Sequence, residues 1–391
     1  MLSKIRNNAK NIFSEHGYPS IKDENWKYTS TENFQNCNVS LSKNIDYDIN
    51  KINLPDEMYN IVICNGELIY HDDPLDGMQI KNYNDITKSS KSEHFLQICD
   101  PNNSVAAHNT SEFSDAVYID FEKGFQLEKA INIISITSNL TSNEIVFPRV
   151  YIHAKENSNV KIYIENLADK SNCAINSVFE FYCEDSSRIE VIQSSSLDNQ
   201  EVIESFFFNQ TNKSTIQFLS MSFGGKLYRS NIDISINGEH CDNHFGVLIL
   251  GENQQHIDYH ADIKHLTGSS SNTFLCRSLL KDQSKGIFNG KILIEDGASG
   301  SDSKLNNNNI LLSENAEMQS NPQLEINCED VKCSHGSTTG SLSENELFYL
   351  TSRGIDKDFA KSILIEGFIN KLLIPFELDD LHMNERIKSW I

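Results

Sequence analysis

Between about residue 114 and residue 332 the apolar residues fall into short runs, with little helical periodicity. Runs at 131–136, 150–153, 160–164, 178–183, 189–193, 216–220, 232–236, 247–250 and 292–294 read as strands, separated by Asn, Ser, Asp and Gly. In one of them the alternation has a period of two: Val160, Ile162 and Ile164 share one face while Lys161 and Tyr163 share the other. Many short strands at near-regular spacing predict an all-β sandwich or a solenoid. A sandwich of roughly 200 residues would be large, which favours a β-helix. Stacked coils tolerate amide-rich turns, because like side chains hydrogen-bond between neighbouring rungs. No exact repeat is visible, so the pattern alone leaves both architectures open.

The flanks read differently. Residues 3–16 form a short polar helix candidate, followed by a loop around Tyr18-Pro19. The run at 61–64 precedes Asn65-Gly66, a hairpin dipeptide, and residues 67–70 supply a return strand. This gives an N-terminal α/β region over residues 1–113, a β core over 114–340 and a helical domain over 341–391. In the last, Ser343 and Glu346 have capping-box spacing, Leu347 and Leu350 share an inner face, and Gly354 stops the helix. Asp356 caps the next helix, whose apolar face reads Ala360, Ile363, Leu364, Phe368 and Leu372. Pro375 breaks the chain before a last amphipathic segment carrying Leu381, Ile387 and Trp390.

Composition narrows the function classes. The 391 residues include 33 Lys plus Arg against 55 Asp plus Glu, a net charge of -22. Such a surface repels nucleic acid, and no Lys/Arg cluster offsets it. No segment approaches the roughly 18–20 apolar residues of a membrane helix, and the N-terminus lacks the apolar run of a secretion signal. The expected compartment is the cytoplasm, which suits nine scattered cysteines without a CxxC pair, most of them read as small buried apolar residues. A Walker A loop is absent: Gly224-Gly225-Lys226-Leu227 lacks the first Gly and the final hydroxyl. GxGxxG, GxSxG and HExxH are absent too, so no nucleotide is expected to bind this chain.

Two groups of residues carry candidate chemistry. His240, His244, His256, His260 and His265 crowd together with Cys241, Asp258 and Asp262. Residues four apart on a strand lie about 13 Å apart, so His256 and His260 cannot share an ion there. These histidines are read as solvated or hydrogen-bonded surface groups. The second group is Cys328-Glu329-Asp330-Val331-Lys332-Cys333-Ser334-His335-Gly336, in which Glu329 and Asp330 supply negative charge. Cys333 and His335, two apart, face one side of an extended strand, and Lys332 could favour the thiolate. A thiolate and an imidazole form a partial site for iron or sulfide, with the remaining ligands supplied by another chain.

The stretch Asn321-Pro322-Gln323-Leu324-Glu325-Ile326, continuing through Glu329-Asp330-Val331-Lys332-Cys333-Ser334-His335-Gly336-Ser337-Thr338-Thr339-Gly340 to Leu347-Phe348-Tyr349-Leu350-Thr351-Ser352-Arg353-Gly354-Ile355, resembles the C-terminal signature of the SufB/SufD family, in its SufD form. Lys285-Gly286-Ile287-Phe288-Asn289-Gly290-Lys291-Ile292 and residues 306–312 match the same pattern, and Glu24-Asn25-Trp26-Lys27-Tyr28-Thr29 resembles the family's early Trp motif. Ser337-Thr338-Thr339 departs from the commoner Ala-Thr-Val. The resemblance implies a right-handed parallel β-helix with an N-terminal region and a C-terminal helical domain. It implies a non-catalytic scaffold for iron–sulfur cluster assembly, partnered by SufB and by the ATPase SufC, with a homodimer possible in isolation. A transient iron–sulfur cluster would form at the SufB interface, where the family places a His, here His335, with Cys333 beside it. The competing readings are a SufB-like paralogue and a carbohydrate-active β-helix enzyme.

Overall fold

The computed structural model of the chain describes residues 2–40, 47–88, 94–100, 102–127, 129–168, 172–376 and 381–391. The N-terminal region contains α1 (Leu2–His16), α2 (Glu32–Gln35), β1 (Asn38–Val39), β2 (Tyr59–Cys64), β3 (Glu67–His71), β4 (Met78–Lys81), α3 (Tyr83–Lys88) and α4 (Ser104–Glu112). Asn65 and Gly66, both at positive φ, turn β2 back into antiparallel β3, as the dipeptide predicts. Four shorter strands then open the core: β5 (Val117–Phe121), β6 (Ile131–Thr137), β7 (Glu144–Val146) and β8 (Arg149–Ala154).

The following strands are almost uniform in length. They are β9 (Asn159–Ala168), β10 (Ala174–Cys183), β11 (Arg188–Leu197), β12 (Glu201–Gln210), β13 (Thr215–Gly224), β14 (Leu227–Ile236), β15 (Asp242–Gly251), β16 (His256–His265), β17 (Ser271–Leu280), β18 (Lys285–Ile294), β19 (Asp302–Leu311), β20 (Glu317–Ile326) and β21 (Lys332–Gly340). Even-numbered strands stack in parallel into one sheet and odd-numbered strands into a second, so each turn donates one strand to each. The result is a parallel β-solenoid of about eight turns. A sandwich is excluded because sequence neighbours never pair along this stretch: β10 pairs with β12, β11 with β13. All nine strand runs read from the sequence lie within strands between β6 and β18. The interior is apolar where inward positions alternate correctly; Val160, Ile162 and Ile164 are core, while Tyr163 faces out beneath the C-terminal helices and Lys161 pairs with Glu190.

The corners are built on left-handed backbone. Asn157, Ser186, Lys213, His240, Ser269, Gly300 and Asp330 recur at one corner of successive turns, all at φ near +60° to +77°. The residue after each is Ser158, Ser187, Ser214, Cys241, Ser270, Ser301 and Val331. Ser187, Ser214 and Ser301 each donate 2.7 Å to the carbonyl three residues back, closing the turn.

Residues 24–29 fasten the N-terminal region to the outer face of the even-numbered sheet. Trp26 lies under the guanidinium of Arg229 at 4.1 Å, and Arg229 donates to the Asn25 carbonyl at 3.0 Å and to Asp258 at 2.6 Å. The Thr29 hydroxyl donates to the same carboxylate at 2.5 Å. Burial would raise Asp258, but Arg229 and His260 beside it hold its carboxyl well below the usual carboxylate range.

At the other end, Ser343 and Asp356 cap α5 (Glu344–Ser352) and α6 (Lys357–Leu373), and α7 (Leu381–Trp390) closes the chain. The buried stripe of α6 is Ala360, Ile365, Ile369, Leu372 and Leu373, so Ile363 and Leu364, read as inner residues, are only half-buried. The face is chosen by the sheet: Ile365, Ile369, Leu372 and Phe376 pack on Tyr163, Ile192, Leu219 and Leu248 of the odd-numbered strands. Leu347 and Leu350 are likewise half-buried, Ile387 is buried, and the Leu381 side chain lies outside the described residues. Among the described residues no helix is long and apolar enough to cross a membrane.

Candidate functional site

β20 and β21 form the last turn, at the end of both sheets. Register carries each residue one turn on: Leu305 pairs with His335, Ser303 with Cys333, Asn307 with Ser337, and Ile294 with Ile326. The first member of each pair is buried in the interior. The second member therefore also faces the solenoid interior, but among the described residues no further turn stacks on it. His335 and Ser337 are exposed, Cys333 is half-buried, and Ile326 stands 44% exposed. An apolar core with one open end exposes its own cross-section, and solenoids need a cap or partner there. The opposite end has one, since antiparallel β3 and β4 close the first turn.

The structure thus puts Cys333 and His335 on one face of one strand, at the rim of this open end. The neighbouring polar side chains are ordered: Asn307 donates to Ser320 at 2.8 Å, and the Ser320 and Ser337 hydroxyls lie 2.7 Å apart. Lys332 does not activate Cys333, because strand alternation turns it to the outer face. Burial, Asp302 and Cys328 push the Cys333 thiol up, against one backbone N–H from Ser303. A raised thiol pKa favours the protonated form. Among the described residues no three His, Cys, Asp or Glu side chains gather to hold a metal ion.

The histidine cluster resolves into separate roles. His240 is the left-handed corner residue of its turn, and His244 lies 3.7 Å from Asp242 on an outer face. His256 and His260 belong to the Trp26 latch, at 2.9 Å from the Thr29 hydroxyl and 3.3 Å from Asp258. His265 departs from the surface reading: it is inward-facing and fully buried, and burial pushes it down to about 4. A concavity of about 310 Å³ lies beside the latch, lined by His260, Asp262, Lys291 and Asn25, on the outer face rather than at the end turn. Sequence reasoning placed Cys328 at the start of the candidate stretch but missed Ile326 as part of the end turn; its signal was its place in the signature, and only the strand register puts it at the last turn.

Comparison with known proteins bears on this geometry. Residues 136–368 match the family model described as SUF system FeS cluster assembly, SufBD core domain. The chain is 25% identical to the iron–sulfur cluster assembly protein SufD of Escherichia coli, over 91% of this chain and 85% of that protein. It is 23% identical to an iron–sulfur cluster assembly SufBD family protein of Synechocystis, over 97% and 89%. It is 24% identical to protein ABCI7, chloroplastic, of Arabidopsis thaliana, over 96% and 82%.

Proposed function

The chain belongs to the SufBD core-domain family of the SUF iron–sulfur assembly system, and from that premise we propose that it is a scaffold that builds a nascent cluster at its open solenoid end, shared with a SufB-like partner and driven by a SufC-like ATPase. The observation that carries this is the last turn, bare among the described residues, which leaves an imidazole and a thiol at the mouth of the core. A second solenoid end placed there would bury Ile326 and Leu324 and supply the missing ligands. Iron and sulfide are cargo here. Neutral imidazole binds iron(II), and thiolate is a soft ligand suited to iron–sulfur chemistry. The ATPase would act on the helical end, where Phe348, Tyr349 and Phe359 are 73%, 53% and 63% exposed.

The test is co-expression with SufB and SufC homologues, followed by native mass spectrometry and complementation of a strain dependent on this pathway. His335→Ala should enter the complex and fail to support cluster formation. His335 is exposed, so its loss should not disturb folding. Full complementation by His335→Ala would show the residue is not a ligand, and a wild-type chain that recruits neither partner would remove the scaffold reading.

A further inference from the structure

A second thiol sits at the same rim. Cys328 lies at the corner between β20 and β21, and Cys333 is the second residue of β21. The corner is well defined: Gly300 N–H donates to the Asp330 carbonyl at 2.8 Å and the Ser299 hydroxyl to the Glu329 carbonyl at 3.2 Å. These bonds set residues 328–330 directly on the preceding corner at 298–300. Asp330 takes the left-handed conformation, at φ 58°, in the short turn that joins Cys328 to Cys333. Both are free, both are half-buried, and both pack against the end of the solenoid core with Val331 between them. Five of the other seven cysteines are fully buried, out of reach of any ligand. Glu329 and Asp330 in the turn add negative charge within one corner's width.

We propose that Cys328 and Cys333 form a dithiol clamp for a thiophilic cation, iron(II) in the assembly setting, at the rim of the last turn. The inference rests on reading that turn as the assembly site, and adds a ligand beyond His335 and Cys333. On binding, two S–H bonds break, two sulfur–metal bonds form and two protons leave to solvent; no electron is transferred. Two soft sulfur donors on a short, hydrogen-bonded corner lose little freedom on binding, unlike two thiols on a flexible loop. The apolar surround of Ile326, Leu324 and Val331 would be dry once a partner covers the end, which strengthens the metal–thiolate interaction.

The clamp can be tested on the isolated, reduced full-length chain with phenylarsine oxide, which replaces its As–O bond with two As–S bonds and releases water only where two thiols are near each other. One arsenical per chain should bind by intact mass, and Cys328 and Cys333 should vanish together from alkylation maps. Cys328→Ser and Cys333→Ser, each near-isosteric, should lose the adduct. The Cys37→Ser/Cys99→Ser double variant, which removes the remaining half-buried thiols, should keep it. Calorimetric titration with cadmium(II) should show one site with proton release, lost in either end-turn variant. Bridging that survives Cys328→Ser, or no adduct on the wild-type chain, overturns the clamp. The arsenical reads this chain without a partner, whereas His335→Ala complementation reads the assembly site, so the two failures are distinct results.

Discussion

At the residue scale, the interior of the solenoid contains a charge problem with a measurable consequence. Glu204 points inward from β12 and is fully buried. Asn166 donates to one carboxyl oxygen at 2.6 Å; Tyr228 and Gln193 donate to the other at 2.6 and 3.0 Å. Burial nonetheless pushes its pKa up from 4.5 to about 7, with these donors pulling the other way. The native chain therefore keeps a proton that the unfolded chain loses above 4.5. Its contribution to stability falls as pH rises through this window and levels off above about 7. His265 has the opposite sign. Buried with both ring nitrogens lacking hydrogen-bond partners among the described residues, it is pushed down from 6.5 to about 4, so its contribution is lost as pH falls across that range. The two slopes offset each other. Glu204→Gln removes one, and its melting temperature should climb with pH between about 4.5 and 6.5 more steeply than that of the wild type. Parallel melting curves for the two proteins across that range would mean Glu204 is ionised throughout. The latch residue Arg229 poses a different case. Arg229→Ala leaves Asp258 buried without its partner and Trp26 without its stacking cation, and should cost about 3–5 kcal/mol in denaturant unfolding. A loss below about 1 kcal/mol would mean that water reaches the carboxylate.

At the element scale, the architecture was legible where strand chemistry is local and hidden where it is not. β9 shows its period of two, and Ser343 and Asp356 announce the helix starts, because caps and alternation depend on neighbours in sequence. β12, with Phe206, Phe207 and Phe208 in a row, and β19, with Asn306 to Asn309, were not read as strands: the faces of the first are both covered and those of the second are amide-lined, so alternation vanishes from the sequence. The solenoid repeat was present but disguised. Its only constant is a left-handed residue followed by a small one, written Asn-Ser, Ser-Ser, Lys-Ser, His-Cys and Asp-Val at different corners, at spacings that vary with corner length. The candidate pair at Cys333 and His335 was visible as a motif, while its exposure follows from the absence of a further turn, which no local pattern encodes. The α6 stripe was misplaced by about one residue because the sheet, not the helix, selects it. Gly246 shows how closely that sheet is met: a Cβ there would lie 2.6 Å from the Phe376 ring. Gly246→Ala should therefore destabilise by about 1–3 kcal/mol through overpacking, loosening the C-terminal helices first. Hydrogen exchange localised to α6 and α7 would show this, and uniform acceleration across the solenoid would count against it. This packing also makes deletion of residues 343–391 a poor test of ATPase docking, since it strips an apolar sheet face. Phe348→Ser with Tyr349→Ser alters only exposed surface, and should abolish recruitment of the ATPase with the melting temperature unchanged; intact recruitment would move the docking surface elsewhere.

At the scale of the whole molecule, the two ends of the solenoid are unequal, and this inequality is expected to govern association. The first turn is closed by β3 and β4, with Leu68, Ile80 and Phe125 packed over it. The last turn presents Ile326, Leu324 and Pro322 on one strand and Cys333, His335 and Ser337 on the other, with the backbone edges of both sheets open beside them. Open parallel edges and an exposed core invite pairing with a second solenoid end. In the cell that partner would be a SufB-like chain. In isolation the available partner is another copy, joined about a two-fold axis through the same surface. Two such copies each carry a net charge of -22, and Glu325, Glu329 and Asp330 lie around the contact. The homodimer should therefore be held by apolar burial and opposed by long-range repulsion. It should tighten as salt screens the charges, the reverse of an ion-paired interface. Sedimentation velocity across a concentration and salt series reads both features. Ile326→Asp places a further charge at the centre of the contact and should leave the chain monomeric at concentrations where the wild type is dimeric, with unchanged circular dichroism. A dimer that survives Ile326→Asp, or one that dissociates as salt is raised, would place self-association on another face and free the end turn for a partner of opposite charge.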